Sequence, residues 1–113
     1  APVKAAVFPI VNKPGFLKLG RKIYEDLSED WNIQYDTGGS VGRRYSRQDE
    51  IGTPYCITID GDSIKNKDCT IRNRNTTQQI RVKVKDLKEI IRKLLNSEIK
   101  FEKAGKIIST RKK

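Results

Sequence analysis

The chain has 113 residues, 24 Lys+Arg against 14 Asp+Glu and no histidine, for a formal net charge of +10 at pH 7. That length fits one domain, and its 35% hydrophobic content, below the roughly 45–50% of an average globular chain, falls in periodic runs that can build a modest core. The missing histidine excludes His-based acid/base catalysis, Ser-His and Cys-His triads and His-containing metal sites.

Residues 3–8, Val-Lys-Ala-Ala-Val-Phe before Pro9, read as a buried strand of an α/β sheet. Asn12-Lys13-Pro14-Gly15 supplies turn chemistry and a helix start. Phe16, Leu19, Ile23 and Leu27 then recur at helical spacing to about residue 29, predicting a core-facing helix. Ile33-Gln34-Tyr35-Asp36 predicts a short strand closed by Thr37-Gly38-Gly39.

Ser40 is positioned to cap a second helix over residues 41–51, stopped by Gly52 with Thr53-Pro54 beyond it. Its apolar stripe is thin, only Val41, Tyr45 and Ile51, and Arg43 and Arg47 share another face at i, i+4. Two such arginines repel, so either Asp49 and Glu50 or a bound phosphate chain is expected to offset them.

Tyr55 to Asp60 alternates, with Tyr55, Ile57 and Ile59 on one face and Cys56, Thr58 and Asp60 on the other. Residues 61–68 read as a turn region, Cys69 to Arg74 as another strand, and Ile80, Val82 and Val84 as the inner face of a third with Arg81, Lys83 and Lys85 outward. Leu87, Ile90, Ile91, Leu94 and Leu95 predict a helix from about Asp86, with Asp86 and Glu89 at capping-box spacing. Residues 97–113 have weak periodicity and end in Thr-Arg-Lys-Lys, which predicts a basic, partly disordered C-terminal extension beyond a domain at residues 1–96.

Cys56 and Cys69 read as reduced, half-buried thiols in strands, with a disulfide between neighbouring strands as the alternative. No apolar run reaches the length of a membrane span and no signal-peptide pattern opens the chain, so the expectation is no membrane and a cytoplasmic location, with an organelle left open. Beginning at Ala1 without Met points to a processed protein or a piece of a longer one. The positive excess lies after residue 39: residues 40–85 carry ten basic and five acidic side chains, and residues 86–113 nine and four. In the middle segment the basic residues are largely arginine, whose planar fork suits phosphates and base edges, so nucleic acid leads as partner.

The run from Gly39 to Pro54, Gly-Ser-Val-Gly-Arg-Arg-Tyr-Ser-Arg-Gln-Asp-Glu-Ile-Gly-Thr-Pro, resembles the C-terminal anticodon-binding domain of glycyl-tRNA synthetase, a class II enzyme. Residues 1–4 and 7–9, Ile57-Thr58-Ile59-Asp60, residues 70–76 and residues 79–82 extend the resemblance in the same order over about residues 1–95. Asn73 stands where the family suggests an acidic residue between Arg72 and Arg74. The resemblance implies an α/β fold, a five-stranded mixed sheet flanked by three main helices. It implies a module that holds the anticodon loop of glycine tRNA for a catalytic domain elsewhere in a parent ligase. ATP and Mg would belong to that catalytic domain, with no catalytic site, cofactor or metal in this chain. The parent is expected to be a homodimer and the isolated domain a monomer.

Glycine anticodons share cytosine at their second and third positions, so a reader must accept from the cytosine amino group and donate to its ring acceptors. Asp49 or Glu50 are the candidate acceptors and Arg43, Arg47 or Arg72 the candidate donors. Tyr55 is the candidate stacking ring, with a core role as its alternative, and Thr53 a hydroxyl contact. Arg44, Arg74 and Arg81 are assigned to phosphates. Two other readings stand beside this one. The first is a non-catalytic nucleic-acid or protein interaction module of the same fold, like the accessory subunit of mitochondrial DNA polymerase. The second is a small metalloenzyme built on Asp60 and Asp62.

Overall fold

A computed structural model describes residues 2–108. Five strands come in the order the alternation suggests: β1 (Ala5–Pro9), β2 (Ile33–Tyr35), β3 (Tyr55–Ile59), β4 (Asp68–Asn73) and β5 (Gln79–Lys83). The main helices are α1 (Pro14–Ser28), α2 (Val41–Ile51) and α4 (Val84–Leu95), with a short helix α3 (Gly61–Asn66) between β3 and β4. A sixth strand, β6 (Lys106–Ile108), follows a 3₁₀ turn over Phe101–Lys103. The sheet order is β2-β1-β3-β4-β5-β6; β1 is parallel to β2 and β3, and every later pair is antiparallel.

Alternation sorts the two faces. Ala5, Val7, Ile33, Ile57, Ile59, Ile71, Ile80 and Val82 point to one side, where Ile23 and Leu27 of α1 and Leu87, Ile91 and Leu94 of α4 complete the main core. The opposite face is largely polar; its buried apolar residues Ala6, Phe8 and Cys56 pack beneath Tyr45 of α2. The Phe8 and Tyr45 rings meet edge to face at 5.2 Å, a favoured aromatic arrangement. A helix with so small an apolar contact needs only the thin stripe that the sequence gives it.

Cys56 and Cys69 lie on opposite faces, in these two separate clusters, and both are free and buried. Burial pushes both thiols up to about 12.

Three expectations change. The turn region contains α3, because Asp60 and Ser63 form a reciprocal capping box, a local pattern that satisfies otherwise orphaned N–H groups. Helix α4 starts at Val84 with no side-chain cap on it, so Asp86 lies in its first turn, where its charge suits the positive helix end. The sheet has six strands rather than five, since residues 97–108 do not fray: Phe101 is buried and its ring stacks on Tyr55 at 6.1 Å, while β6 pairs with β5. Residues 109–113, the end of the expected basic extension, lie outside the described residues.

No helix among the described residues is long and apolar enough to cross a membrane. None of their His, Cys, Asp or Glu side chains gather in groups of three that could hold a metal ion.

Candidate nucleic-acid interface

Helix α2 is fixed at both ends by its own residues. Ser40 Oγ accepts from the Arg43 N–H at 3.2 Å, and Gly52, at φ +81°, ends the helix in the left-handed conformation that glycine adopts without a Cβ clash.

Arg44, expected at a phosphate, is instead buried at 4% exposure. Its guanidinium donates to the carbonyls of Pro9, Thr37, Gly38 and Gly39, stitching the end of β1 to the loop before α2. A buried guanidinium saturated by four carbonyls has no face left for RNA. Thr53, expected to reach RNA, is fully buried; its hydroxyl donates to Gln48 Oε1 at 2.7 Å, and Gln48 Nε2 donates to Gln34 at 2.9 Å. This polar chain crosses from the helix end to β2.

Arg47 points outward, its side chain 48% exposed, and binds Asp36 through both carboxylate oxygens, with Nη2 also donating to the Gly38 carbonyl at 2.7 Å. The carboxylate that offsets the Arg43/Arg47 pair is therefore Asp36, at the end of β2, rather than one on the helix itself. The alternation of β2 carried the signal, because Asp36 continues the face of Gln34, opposite Ile33 and Tyr35. Arg43 is exposed and its guanidinium has no partner among the described residues.

Cys56 pairs with Arg72 in the β3–β4 register and Arg72 with Gln79 in the next, so Arg72 rises from the sheet on the α2 side. Its guanidinium lies 4.6 Å from the centroid of the Tyr45 ring and donates to Asp49 Oδ1 at 3.2 Å. Tyr45 is anchored in turn by a 2.8 Å hydrogen bond with the Thr58 hydroxyl, and burial raises its phenol above the ordinary value. Asp49 remains 40% exposed at the side chain, with Arg72 at 13%. Asp49 is thus held through one oxygen while its side chain stays partly open to solvent. Glu50, one residue on, is exposed. Arg74 is exposed as well, its backbone N–H bound to the Pro54 carbonyl at 3.0 Å, which places it beside the loop after α2. In the turn that follows, Asn73 Oδ1 accepts from the N–H groups of Asn75 and Thr76, so its side chain shapes the turn instead of pairing with the arginines.

Arg81, on the same sheet face as Arg72, and Tyr55, on the other, are both engaged within the fold. Arg81 bridges Asp60 at 2.7 Å and Asp68 at 2.8 Å. Its guanidinium, assigned to a phosphate from the sequence, is thus committed to two carboxylates of the fold. Tyr55 projects from the sheet face away from α2, against Phe101, so its core role is the one the fold uses. The stacking surface beside α2 is Tyr45, already covered by Arg72, which residue type alone did not single out.

An α/β sheet bearing one polar face, with a capped helix that presents arginines and carboxylates side by side, defines a polar recognition module. Comparison with known proteins narrows the class. The family described as "Anticodon binding domain" matches residues 4–94, and the chain belongs to that family. It is 58% identical over 87 residues to the glycine–tRNA ligase of Rhodopirellula baltica, covering 77% of this chain and 16% of that protein. It is 49% identical over 92 residues to that of Borrelia hermsii, covering 81% and 21%. The chain thus spans about a fifth of such relatives and corresponds to their anticodon-binding part, not their catalytic part. The prolyl-tRNA synthetase of Cryptosporidium parvum shares the fold, with a TM-score of 0.77 at 18% identity over 86% of this chain and 21% of that one.

Proposed function

We propose that this chain binds the anticodon loop of glycine tRNA on behalf of a cytoplasmic glycine–tRNA ligase. The observation that carries the reading is the Asp49–Arg72–Tyr45 constellation: a half-exposed carboxylate held by a guanidinium that lies on an aromatic ring. A cytosine offers an amino donor beside ring acceptors. Asp49 and Glu50 accept from the amino groups, Arg43, Arg47 and Arg72 donate to the ring acceptors, and Arg74 holds a phosphate. Arg44 and Thr53 set the position of α2, while Arg81 and Tyr55 hold the sheet. ATP and Mg²⁺ serve aminoacylation in the catalytic part of a homodimeric parent, outside this chain, which by itself is a monomer.

The test is equilibrium binding of the 113-residue chain to a glycine anticodon stem-loop and to the same stem-loop with both anticodon cytosines changed to adenine. A preference of about tenfold or more for cytosine, about 1.4 kcal/mol, supports anticodon reading by this chain. Equal affinities with steep salt dependence would mean that the basic surface only captures phosphates, and the reading fails.

A further inference from the structure

On the side of the sheet away from α2, helices α1 and α3 and the start of α4 border a cleft of about 950 Å³. Its apolar lining comes from Leu19, Ile23, Ile64, Val84 and Leu87. Ile64 is 39% exposed, a large apolar side chain left in water beside an open cleft. The basic lining comes from Lys18, Lys22, Lys67, Lys83 and Lys85. Lys83 donates to the Asn66 carbonyl at 3.3 Å; no carboxylate among the described residues pairs with any of the five. Three acids also border the cleft, Glu25, Asp26 and Glu29. Lys88 already draws in two of them, Asp26 at 3.6 Å and Glu29 at 3.0 Å, together with Asp30 at 3.4 Å. The uncommitted charge around the cleft is therefore strongly positive.

An apolar floor inside a ring of unpaired ammonium groups is complementary to a surface that is apolar along one stripe and acidic beside it. Single-stranded RNA is the other polyanion to weigh, but it binds by stacking bases on aromatic rings or guanidinium planes. The cleft is lined by neither. We propose that it docks an acidic amphipathic helix of a partner protein, with apolar anchors at i, i+3, i+4 and i+7 on the floor and Asp/Glu flanks against the lysines. The site goes beyond the anticodon reading and is independent of it. Because the cleft and α2 lie on opposite sides of the sheet, one molecule of the chain holds both ligands at once.

The experiment titrates the 113-residue chain into a fluorescein-labelled synthetic helix carrying Leu at i, i+3, i+4 and i+7 flanked by Glu, read by fluorescence anisotropy. A scrambled peptide of the same composition and a Glu→Lys version serve as comparisons. The acidic amphipathic peptide should bind at least tenfold tighter than either. Ile64→Asp, and separately the pair Lys22→Glu with Lys85→Glu, should each weaken it at least tenfold, whereas Lys103→Glu, a charge reversal outside the cleft, should not. All are surface changes, and unchanged thermal melting of each variant verifies the fold. Excess glycine anticodon stem-loop should leave the peptide bound. Equal affinity for the scrambled peptide, indifference to both sets of cleft variants, or displacement by the stem-loop overturns the proposal, the last by placing RNA in the cleft.

Discussion

Arg44 on α2 and Arg72 on β4 sit in different surroundings, and a substitution series separates their roles. Arg44 is buried and donates to four backbone carbonyls; Arg44→Ala would take this donor from the carbonyl of buried Pro9 and from that of Gly39, while Thr37 and Gly38 keep Asn12 and Arg47 as donors. One buried group left unsatisfied destabilises a domain by about 1–3 kcal/mol, measurable by urea unfolding. Arg44→Lys should recover little of this, since one ammonium cannot reproduce the planar fork. Arg72→Lys tests the proposed base contact. The charge stays, but lysine cannot lie flat on Tyr45 while holding Asp49, so affinity for the cytosine stem-loop should fall by about 1–3 kcal/mol with little change for the adenine control. A loss equal for both RNAs would make Arg72 a phosphate contact. Residue type marked these arginines as important but could not rank them, because Arg43, Arg44, Arg47 and Arg72 look alike in sequence. Burial and the carbonyls around the Thr37–Gly39 loop make the distinction, and those depend on how three separated segments meet.

Elements whose signals are local were legible. Ser40 and Gly52 bracket α2 as their chemistry predicts, and Ser40→Ala should cost about 1 kcal/mol in stability, seen as a lower urea midpoint with an unchanged slope. The capping box that starts α3 is equally local, yet six residues rich in Asp, Ser and Asn read as a turn, since so short a helix shows no apolar period. Its first residue also has a long-range role that gives a pH signature. Burial alone would raise the Asp60 carboxyl, but hydrogen bonds from Arg81 and from Ser63 outweigh it and hold the group below its usual value of 3.8. A carboxyl depressed in the folded state stabilises fully above its unfolded pKa, and that contribution is lost as pH falls through the folded value. The stability gap between the natural chain and Asp60→Asn should therefore be constant near neutrality and narrow as the pH is lowered below about 4. A gap that is the same at pH 2.5 and pH 6 would show that the Asp60–Arg81 contact contributes nothing through its charge.

Across the whole molecule, the layer that makes the core and the layer that carries α2 are separate, and the last dozen described residues join the core side. Sequence periodicity fades after residue 96 because this stretch is neither a regular helix nor a long strand. Beside the pairing of β6 with β5, an aromatic ring and a close backbone approach hold it. Phe101 is 8% exposed and stacked on Tyr55. At Gly105 an added Cβ would meet Val82 Cγ1 at 2.6 Å and the Arg81 carbonyl oxygen at 2.8 Å; the backbone atom cannot yield as a side-chain tip could. Gly105→Ala must therefore lift β6 away from β5, at about 1–3 kcal/mol by analogy with overpacked cores, and Phe101→Ala should cost about 3–5 kcal/mol. If the segment folds as one unit with the sheet, both variants lower the global unfolding free energy by those amounts. Amide hydrogen exchange at Ile80 and Val82, the β5 residues beneath the tail, should then speed up together with the rest of the sheet. If the tail instead opens alone, exchange accelerates only at residues 101–108 and at β5, and the urea midpoint barely moves. The burial of Phe101 against the main cluster favours the first outcome. Neither variant touches the α2 face, so the cytosine preference of the stem-loop assay should survive in both wherever the chain remains folded.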